Sequence, residues 1–153
     1  MSVVSLKNKY WVLRHGKSIP NERGLVVSSM ENGIRSEFQL APDGVNQAQL
    51  AANSFLKELE ANNIPLANVR ICYSPFSRTT HTANVVATLL NIPFHAPHCK
   101  VIQDLRERYF GPSFELLSHD KLELLLCAYM VISLCLRISL LQMKAKDALI
   151  NPF

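Results

Sequence analysis

Short apolar runs alternate with amphipathic segments along the first two thirds of the chain, and this alternation restricts the folds open to it. Residues 10–13 form an apolar run that stops at Arg14, as a buried strand does, and residues 69–73 form a second short predicted strand that ends at Ser74-Pro75. A third run, within residues 94–105, begins awkwardly because histidines and prolines interrupt it. The order strand, helix, strand, helix, strand predicts an α/β domain with a mostly parallel sheet.

Two helices are predicted between these strands. The first is expected to start at Asp43, a good N-cap residue, and to end near Asn62. The second is expected over residues 78–91, with Ser77 or a neighbour capping its first turn. Apolar residues recur every three or four positions in both segments. They are Val45, Ala48, Ala52, Phe55, Leu56 and Leu59 in the first helix, and Ala83, Val86, Ala87, Leu89 and Leu90 in the second.

Polar clusters follow each predicted strand. Arg14-His15-Gly16 follows the first, residues 74–79 with Arg78 follow the second, and residues 105–111 with Glu107 follow the third. The carboxyl ends of parallel strands meet at one edge of a sheet, where ligands bind. A guanidinium matches phosphate oxygens, and a neutral imidazole is a competent nucleophile at phosphorus. The clusters therefore predict one site for a phosphate-like anion.

Three motifs in this order resemble the histidine phosphatase superfamily, specifically its phosphoglycerate-mutase-like family of the plant type. They are R-H-G with the following Ser18 and Asn21, S-P-x-x-R-T at residues 74–79, and L-x-E-R-x-x-G at residues 105–111. The resemblance covers roughly residues 9–115. It implies a three-layer sandwich and a partial phosphoglycerate-mutase-like domain over residues 1–115.

The resemblance also implies a role for each matching residue. His15 would accept the phosphoryl group, and Arg14 and Arg78 would bind its equatorial oxygens with help from Asn21. Glu107 would protonate the leaving oxygen and later help to deprotonate water. Neither a metal nor an organic cofactor is implied, and His95, His98 and Cys99 lack a fourth ligand of matching spacing.

The chain departs from the family after Gly111. The family carries a second histidine in a downstream strand that ends in H-G, and Ser118-His119-Asp120 lacks both the strand and the glycine. Residues 116–153 are therefore interpreted as a divergent tail that leaves the fold incomplete at its C-terminus. The strand that bears His15 would then have an unpaired edge.

An apolar stretch within this tail admits three interpretations. Residues 122–141 carry only Glu123 and Arg137 as charges, and residues 124–136 contain a single polar side chain, that of Ser133. The stretch could be a buried helix or substitute strand, a C-terminal membrane segment, or a sequence from an alternative or misassigned reading of the transcript. Its length permits membrane insertion. We expect a truncated, splice-type isoform in solution, and membrane association stays the alternative.

Charge and cysteine usage narrow the partners and the compartment. There are 16 basic and 12 acidic residues, and the basic ones are spread out rather than clustered as in nucleic-acid-binding proteins. The cysteines lack paired C-x-x-C spacing and no secretory signal is evident, which predicts reduced thiols in the cytoplasm. They are Cys72, Cys99, Cys127 and Cys135.

The sequence as a whole predicts a phosphatase that acts on a small phosphorylated metabolite, a sugar or an acid. Phosphatase is preferred to mutase because there is no long insertion of the kind that shields the phosphohistidine from water in the mutases. The absence of the second histidine predicts reduced activity. A non-catalytic phosphate-binding or regulatory isoform is the main alternative, and a tail-anchored protein is a further one.

Overall fold

The computed structural model describes residues 8–121. In this range the helices are α1 (Ile19–Glu22), α2 (Met30–Gly33), α3 (Pro42–Ala61) and α4 (Ser77–Leu89). The strands are β1 (Ile71–Tyr73) and β2 (Cys99–Val101). Single 3-10 turns lie at Ser36–Phe38, Leu66–Asn68 and Gln103–Leu105.

Helix α3 confirms the first predicted helix, although its cap is not Asp43. Ala41 occupies the N-cap position and Pro42 the first helical one, where a fixed φ suits the helix and the missing N–H is not needed. Asp43 lies in the first turn, where its charge favours the helix dipole. The small buried residues Ala48 and Ala52 let α4 pack closely against α3.

The second half of the predicted alternation forms a parallel β–α–β unit. Strand β1, helix α4 and strand β2 follow one another, with Ile71 opposite Cys99 and Tyr73 opposite Val101. The awkward start of the third strand is explained by a turn, because the N–H groups of His98 and Cys99 both donate to the His95 carbonyl. That turn delays the strand to Cys99.

The main hydrophobic core lies where α3 and α4 meet β1 and β2. It combines residues of both predicted helical stripes with residues that flank the strands. The buried members are Ala52, Leu59, Val69, Val86, Ala87, Leu90, Ile92 and Cys99. The periodicity in the sequence therefore identified the packing faces of both helices correctly.

The prediction of a buried strand at residues 10–13 was wrong. This segment makes no strand pairing within the part of the chain that the structure describes, and Val12 is fully exposed. Trp11 instead packs edge-on against Phe55 of α3, with 5.3 Å between ring centroids. An apolar run becomes a buried strand only where neighbouring strands supply hydrogen bonds and cover, and the sheet formed by residues 8–121 holds only β1 and β2.

The observed architecture is thus a mixed helix and strand domain with a small parallel sheet, compatible with an α/β fold. No helix among residues 8–121 is long and apolar enough to cross a membrane. The apolar stretch at residues 122–141 lies outside the described residues, as does most of the tail predicted over residues 116–153. The division of the chain at residue 115 stays a prediction.

Candidate active site

Main-chain contacts with the start of α3 hold the loop that carries His15. The Ala41 N–H donates to the Lys17 carbonyl over 3.0 Å. Gly16 and Gly44 approach so closely that a Cβ on Gly16 would collide with the Gly44 carbonyl, and one on Gly44 would collide with Lys17. Glycine at both positions is therefore a packing requirement, and the turn after His15 is fixed without a strand before it.

The imidazole of His15 is oriented by its own loop. Its Nδ1 lies 2.7 Å from the Gly16 carbonyl oxygen, which can only accept, so Nδ1 carries the proton. Nε2 is then the nitrogen with the free electron pair. Burial lowers the pKa of His15 below its ordinary value, and the positive charges of Arg78 and Arg14 lower it further, against the Gly16 hydrogen bond and Glu107. The ring is therefore neutral and nucleophilic at neutral pH.

Arg78 is a buried cation in the first turn of α4. Its Nη1 donates to the Val27 carbonyl over 3.1 Å, and its Nη2 pairs with Glu107 Oε2 at 3.4 Å. The guanidinium carbon lies 4.9 Å from the centre of the Phe76 ring, within range of a cation–π contact. Burial lowers the pKa of Arg78 and Glu107 opposes this, yet an arginine stays protonated at any physiological pH.

Glu107 lies at the more exposed end of this ion pair. Its side chain is 46% exposed whereas that of Arg78 is 7% exposed. A pair with one solvated partner adds little to stability. Glu107 is therefore open to solvent while it stays beside the buried guanidinium.

The predicted site residues converge on one cavity of about 230 Å³. Its lining combines the loop around His15, the first turn of α4, the segment after β2, and two stretches that flank them. The lining residues are Arg14, His15, Ser18, Pro20, Asn21, Leu25, Val26, Val27, Arg78, Glu107, Phe110 and His119. All five residues singled out in the sequence are among them, so the structure brings the imidazole and both guanidinium groups to a common space.

Arg14 and Asn21 differ in how firmly they are held. Arg14 is exposed at the cavity wall. Asn21 completes the capping box of α1, whose N-cap is Ser18, because its Oδ1 accepts from the N–H and the hydroxyl of Ser18. Asn21 therefore has a structural role in the loop, and its amide nitrogen is the group that remains suited to an anion.

Sequence reasoning missed three features around the cavity. Thr82 joins the two first motifs, because its hydroxyl accepts from the Gly16 N–H over 3.4 Å and donates to the Arg78 carbonyl over 2.8 Å. The carbonyl of Val27 orients Arg78. Glu115 binds the residues after Val27. No spacing rule would have indicated the contacts of Thr82 with Gly16, of Arg78 with Val27, or of Glu115 with the serines, since each joins segments distant in sequence.

His119, which was assigned no role from the sequence, also lines the cavity. Its backbone N–H donates to the Gly24 carbonyl over 2.7 Å, and Leu25 and Ser118 form an isolated antiparallel bridge. The segment after Glu115 thus closes one side of the cavity by pairing with residues 24–26. In the sequence, the only indication that this segment reaches the cavity is that His119 lies soon after the third motif.

Comparison with models of known protein families finds a match over most of the chain. The family model described as histidine phosphatase superfamily (branch 1) matches residues 10–125, most of the chain. No curated protein matches significantly, and neither does any solved structure. The matched range contains every residue that lines the cavity.

Proposed function

Because the chain belongs to the histidine phosphatase superfamily (branch 1), we propose that it is a phosphoglycerate-mutase-like phosphatase with His15 as phosphoryl acceptor. Membership of this superfamily indicates phosphatase or mutase-type activity. The observation that carries the finer proposal is the cavity in which His15, Arg78 and Glu107 meet. Its other charged residue, Arg14, gives the wall a second positive side chain.

The reaction would proceed in two steps. In the first, the Nε2 electron pair of His15 attacks phosphorus, the bond to the ester oxygen breaks, and protonated Glu107 gives its proton to that oxygen. In the second, Glu107 takes a proton from water, water attacks the phosphohistidine, and the phosphorus–nitrogen bond breaks. His15 regains its electron pair and inorganic phosphate leaves. The Gly16 carbonyl holds the Nδ1 proton throughout.

Arginines would hold the transferred group. Arg78 has five N–H donors, of which Val27 and Glu107 use two directions, so others remain for phosphate oxygens. Arg14, exposed at the wall, would complete the grip, with Asn21 as a further donor. Charge-assisted bonds of this kind strengthen as negative charge grows on the oxygens.

The cavity volume favours a small substrate. A space of about 230 Å³ suits a phosphorylated sugar or acid better than a phosphoprotein segment. We therefore propose a role in carbohydrate metabolism in the cytoplasm, without a metal or organic cofactor and without a nucleic-acid partner. Hydrolysis is proposed rather than a mutase reaction because the sequence of residues 9–115 contains no long insertion that would exclude water from the phosphohistidine.

Activity should be lower than in a site with a second histidine. Loss of one preorganised donor to a developing oxyanion typically costs about 10²–10³ in rate. His119 lies at the cavity but is exposed and follows no strand among the described residues, so we assign it no catalytic step. The proposed enzyme is therefore slow.

The decisive experiment is phosphate release from a panel of small phosphomonoesters, with His15→Ala as the test variant. His95→Ala is the matched control, since His95 is exposed and lies outside the cavity. We expect His15→Ala to abolish release and to abolish an acid-labile, base-stable phosphoryl label on the protein. Equal activity in the two variants would end the proposed mechanism.

A second candidate function is binding of a phosphorylated ligand without turnover. It is favoured by the exposure of residues 10–13, because the segment before the nucleophile has no strand support in the described part of the chain. Saturable binding of inorganic phosphate that depends on Arg78, with no phosphate release and no phosphoryl label, would establish this alternative.

A further inference from the structure

A single carboxylate, that of Glu115, collects an unusual number of donors. It accepts from the backbone N–H groups of Ser28 and Ser29, from both serine hydroxyls, and from the Asn32 amide, over 2.8 to 3.3 Å. Glu115 lies more than 80 residues from them in sequence. These contacts fix the backbone of residues 28 and 29.

This anchored backbone leads directly to Arg78. Val27 precedes Ser28, and its carbonyl accepts from Arg78 Nη1 over 3.1 Å. On the N-terminal side of Val27, the Leu116 N–H donates to the Val26 carbonyl over 2.8 Å. Glu115 holds Ser28 and Ser29, the two residues that follow Val27. It therefore fixes the Val27 carbonyl, which orients the Arg78 guanidinium.

The negative charge of Glu115 matters for this hold. Burial tends to raise the pKa of Glu115, but the hydrogen bonds from Asn32, Ser28 and Ser29 outweigh it and hold that pKa below the ordinary value. A carboxylate presents only acceptors to the five donors, whereas an amide of the same shape would turn an NH₂ group toward some of them. Replacing the carboxylate would thus disturb several contacts at once.

We propose that Glu115 is a positioning residue for phosphate binding, which acts by fixing the Val27 carbonyl and through it the Arg78 guanidinium. The role rests on the proposed function only in that Arg78 binds phosphate. Glu115 itself is absent from the residues that line the cavity. Its contribution is the geometry of a donor that does.

The first test compares Glu115→Gln with Glu31→Gln. Glu31 is an exposed carboxylate of α2, close in sequence to the same serines. We expect affinity for inorganic phosphate, measured by calorimetry, to fall about tenfold in Glu115→Gln and to stay unchanged in Glu31→Gln, because small misplacements of a binding group are costly. Glu115→Asp, which keeps the charge with a shorter reach, should bind phosphate better than Glu115→Gln. Unfolding curves confirm that each variant is folded, and the Asp variant carries the test if the Gln variant is not.

The second test separates positioning from general support of the fold. Arg78→Lys keeps the charge but loses the fork that Val27 orients. If Glu115 acts through Arg78, the double variant should bind phosphate no more weakly than Arg78→Lys alone. Additive losses, or equal affinities for Glu115→Gln and Glu31→Gln, would overturn the positioning role.

The two proposals fail in distinguishable ways. If the protein binds phosphate through Arg78 but hydrolyses no phosphomonoester, the phosphatase proposal is wrong. The variants described above then still test the role of Glu115. Absence of phosphate binding in the unmodified chain overturns both.

Discussion

Replacing Thr82 by valine should separate the geometry of the site from the stability of the fold. The hydroxyl of this buried residue accepts from the Gly16 N–H and donates to the Arg78 carbonyl. Valine has nearly the same shape but neither hydrogen-bonding capacity. The substitution therefore disconnects the loop of His15 from α4 without opening a cavity.

The expected cost in stability follows from these two contacts. The Arg78 carbonyl lies inside α4 and keeps a helical backbone partner. The Gly16 N–H loses its acceptor, and an unsatisfied buried donor costs about 1–3 kcal/mol. Because the donor–acceptor distance is 3.4 Å, the bond is weak and the lower end, about 1 kcal/mol, applies. That corresponds to a fall in Tm of about 4 °C for a domain near this size.

The effect on catalysis should be larger than the effect on stability. The Gly16 carbonyl also accepts a hydrogen bond from the Nδ1–H group of His15, so movement of Gly16 turns the nucleophilic ring. We expect kcat/KM for a small phosphomonoester to fall about tenfold. Thr88→Val, on the exposed face of α4, is the matched control and should change neither quantity. Unchanged kcat/KM in Thr82→Val with a lowered Tm would refute the coupling.

Three further predictions concern protonation and packing. The pKa of His15 lies below its ordinary value of about 6.5, so kcat/KM should fall as the pH drops through that lowered pKa. In Arg78→Gln, an NMR titration should show a higher pKa for His15 than in the unmodified protein. An unchanged pKa of His15 would contradict the role of the Arg78 charge. Gly16→Ala should lower the free energy of unfolding by about 3 kcal/mol, because the added Cβ would collide with the Gly44 carbonyl. A nearly unchanged urea unfolding curve would contradict this close approach. The pKa of Glu115 is lower in the folded state than its unfolded value of 4.5. The stability that Glu115 contributes should therefore be fully present above pH 4.5 and be lost as the pH falls through the folded-state pKa. In urea unfolding at acid pH, the free energy of unfolding of Glu115→Gln should depend less on pH than that of the unmodified protein.

The helices and the second half of the sheet could be predicted because their signals are local. Apolar residues at spacings of three and four identified the faces of α3 and α4 that meet in the core. Capping preference alone predicts a start at Asp43, but α3 begins at Pro42 with Ala41 as its N-cap, because the fixed φ of Pro42 suits the first turn.

The strand at residues 10–13 could not be judged from its own composition. Its apolar run is typical of a parallel strand, but a strand exists only with partners, and partners are a property of the whole sheet. Within the described residues Trp11 packs on α3 and Val12 faces solvent. The error therefore concerned the surroundings of the segment rather than its propensity.

The site residues converge for a reason that does not depend on that strand, although the sequence predicted their convergence from the ends of parallel strands. Within residues 8–121 the loop that carries His15 is held by the start of α3 and by Thr82 rather than by a ladder of strand hydrogen bonds. The close approach of Gly16 to Gly44 fixes where the loop turns, and Thr82 fixes it relative to Arg78. A nucleophile held in this way keeps its distance to the guanidinium even where the preceding segment is exposed. It follows that substitutions at Gly16 or Thr82 should impair the site more than substitutions at Val12, whose side chain contributes to neither anchor.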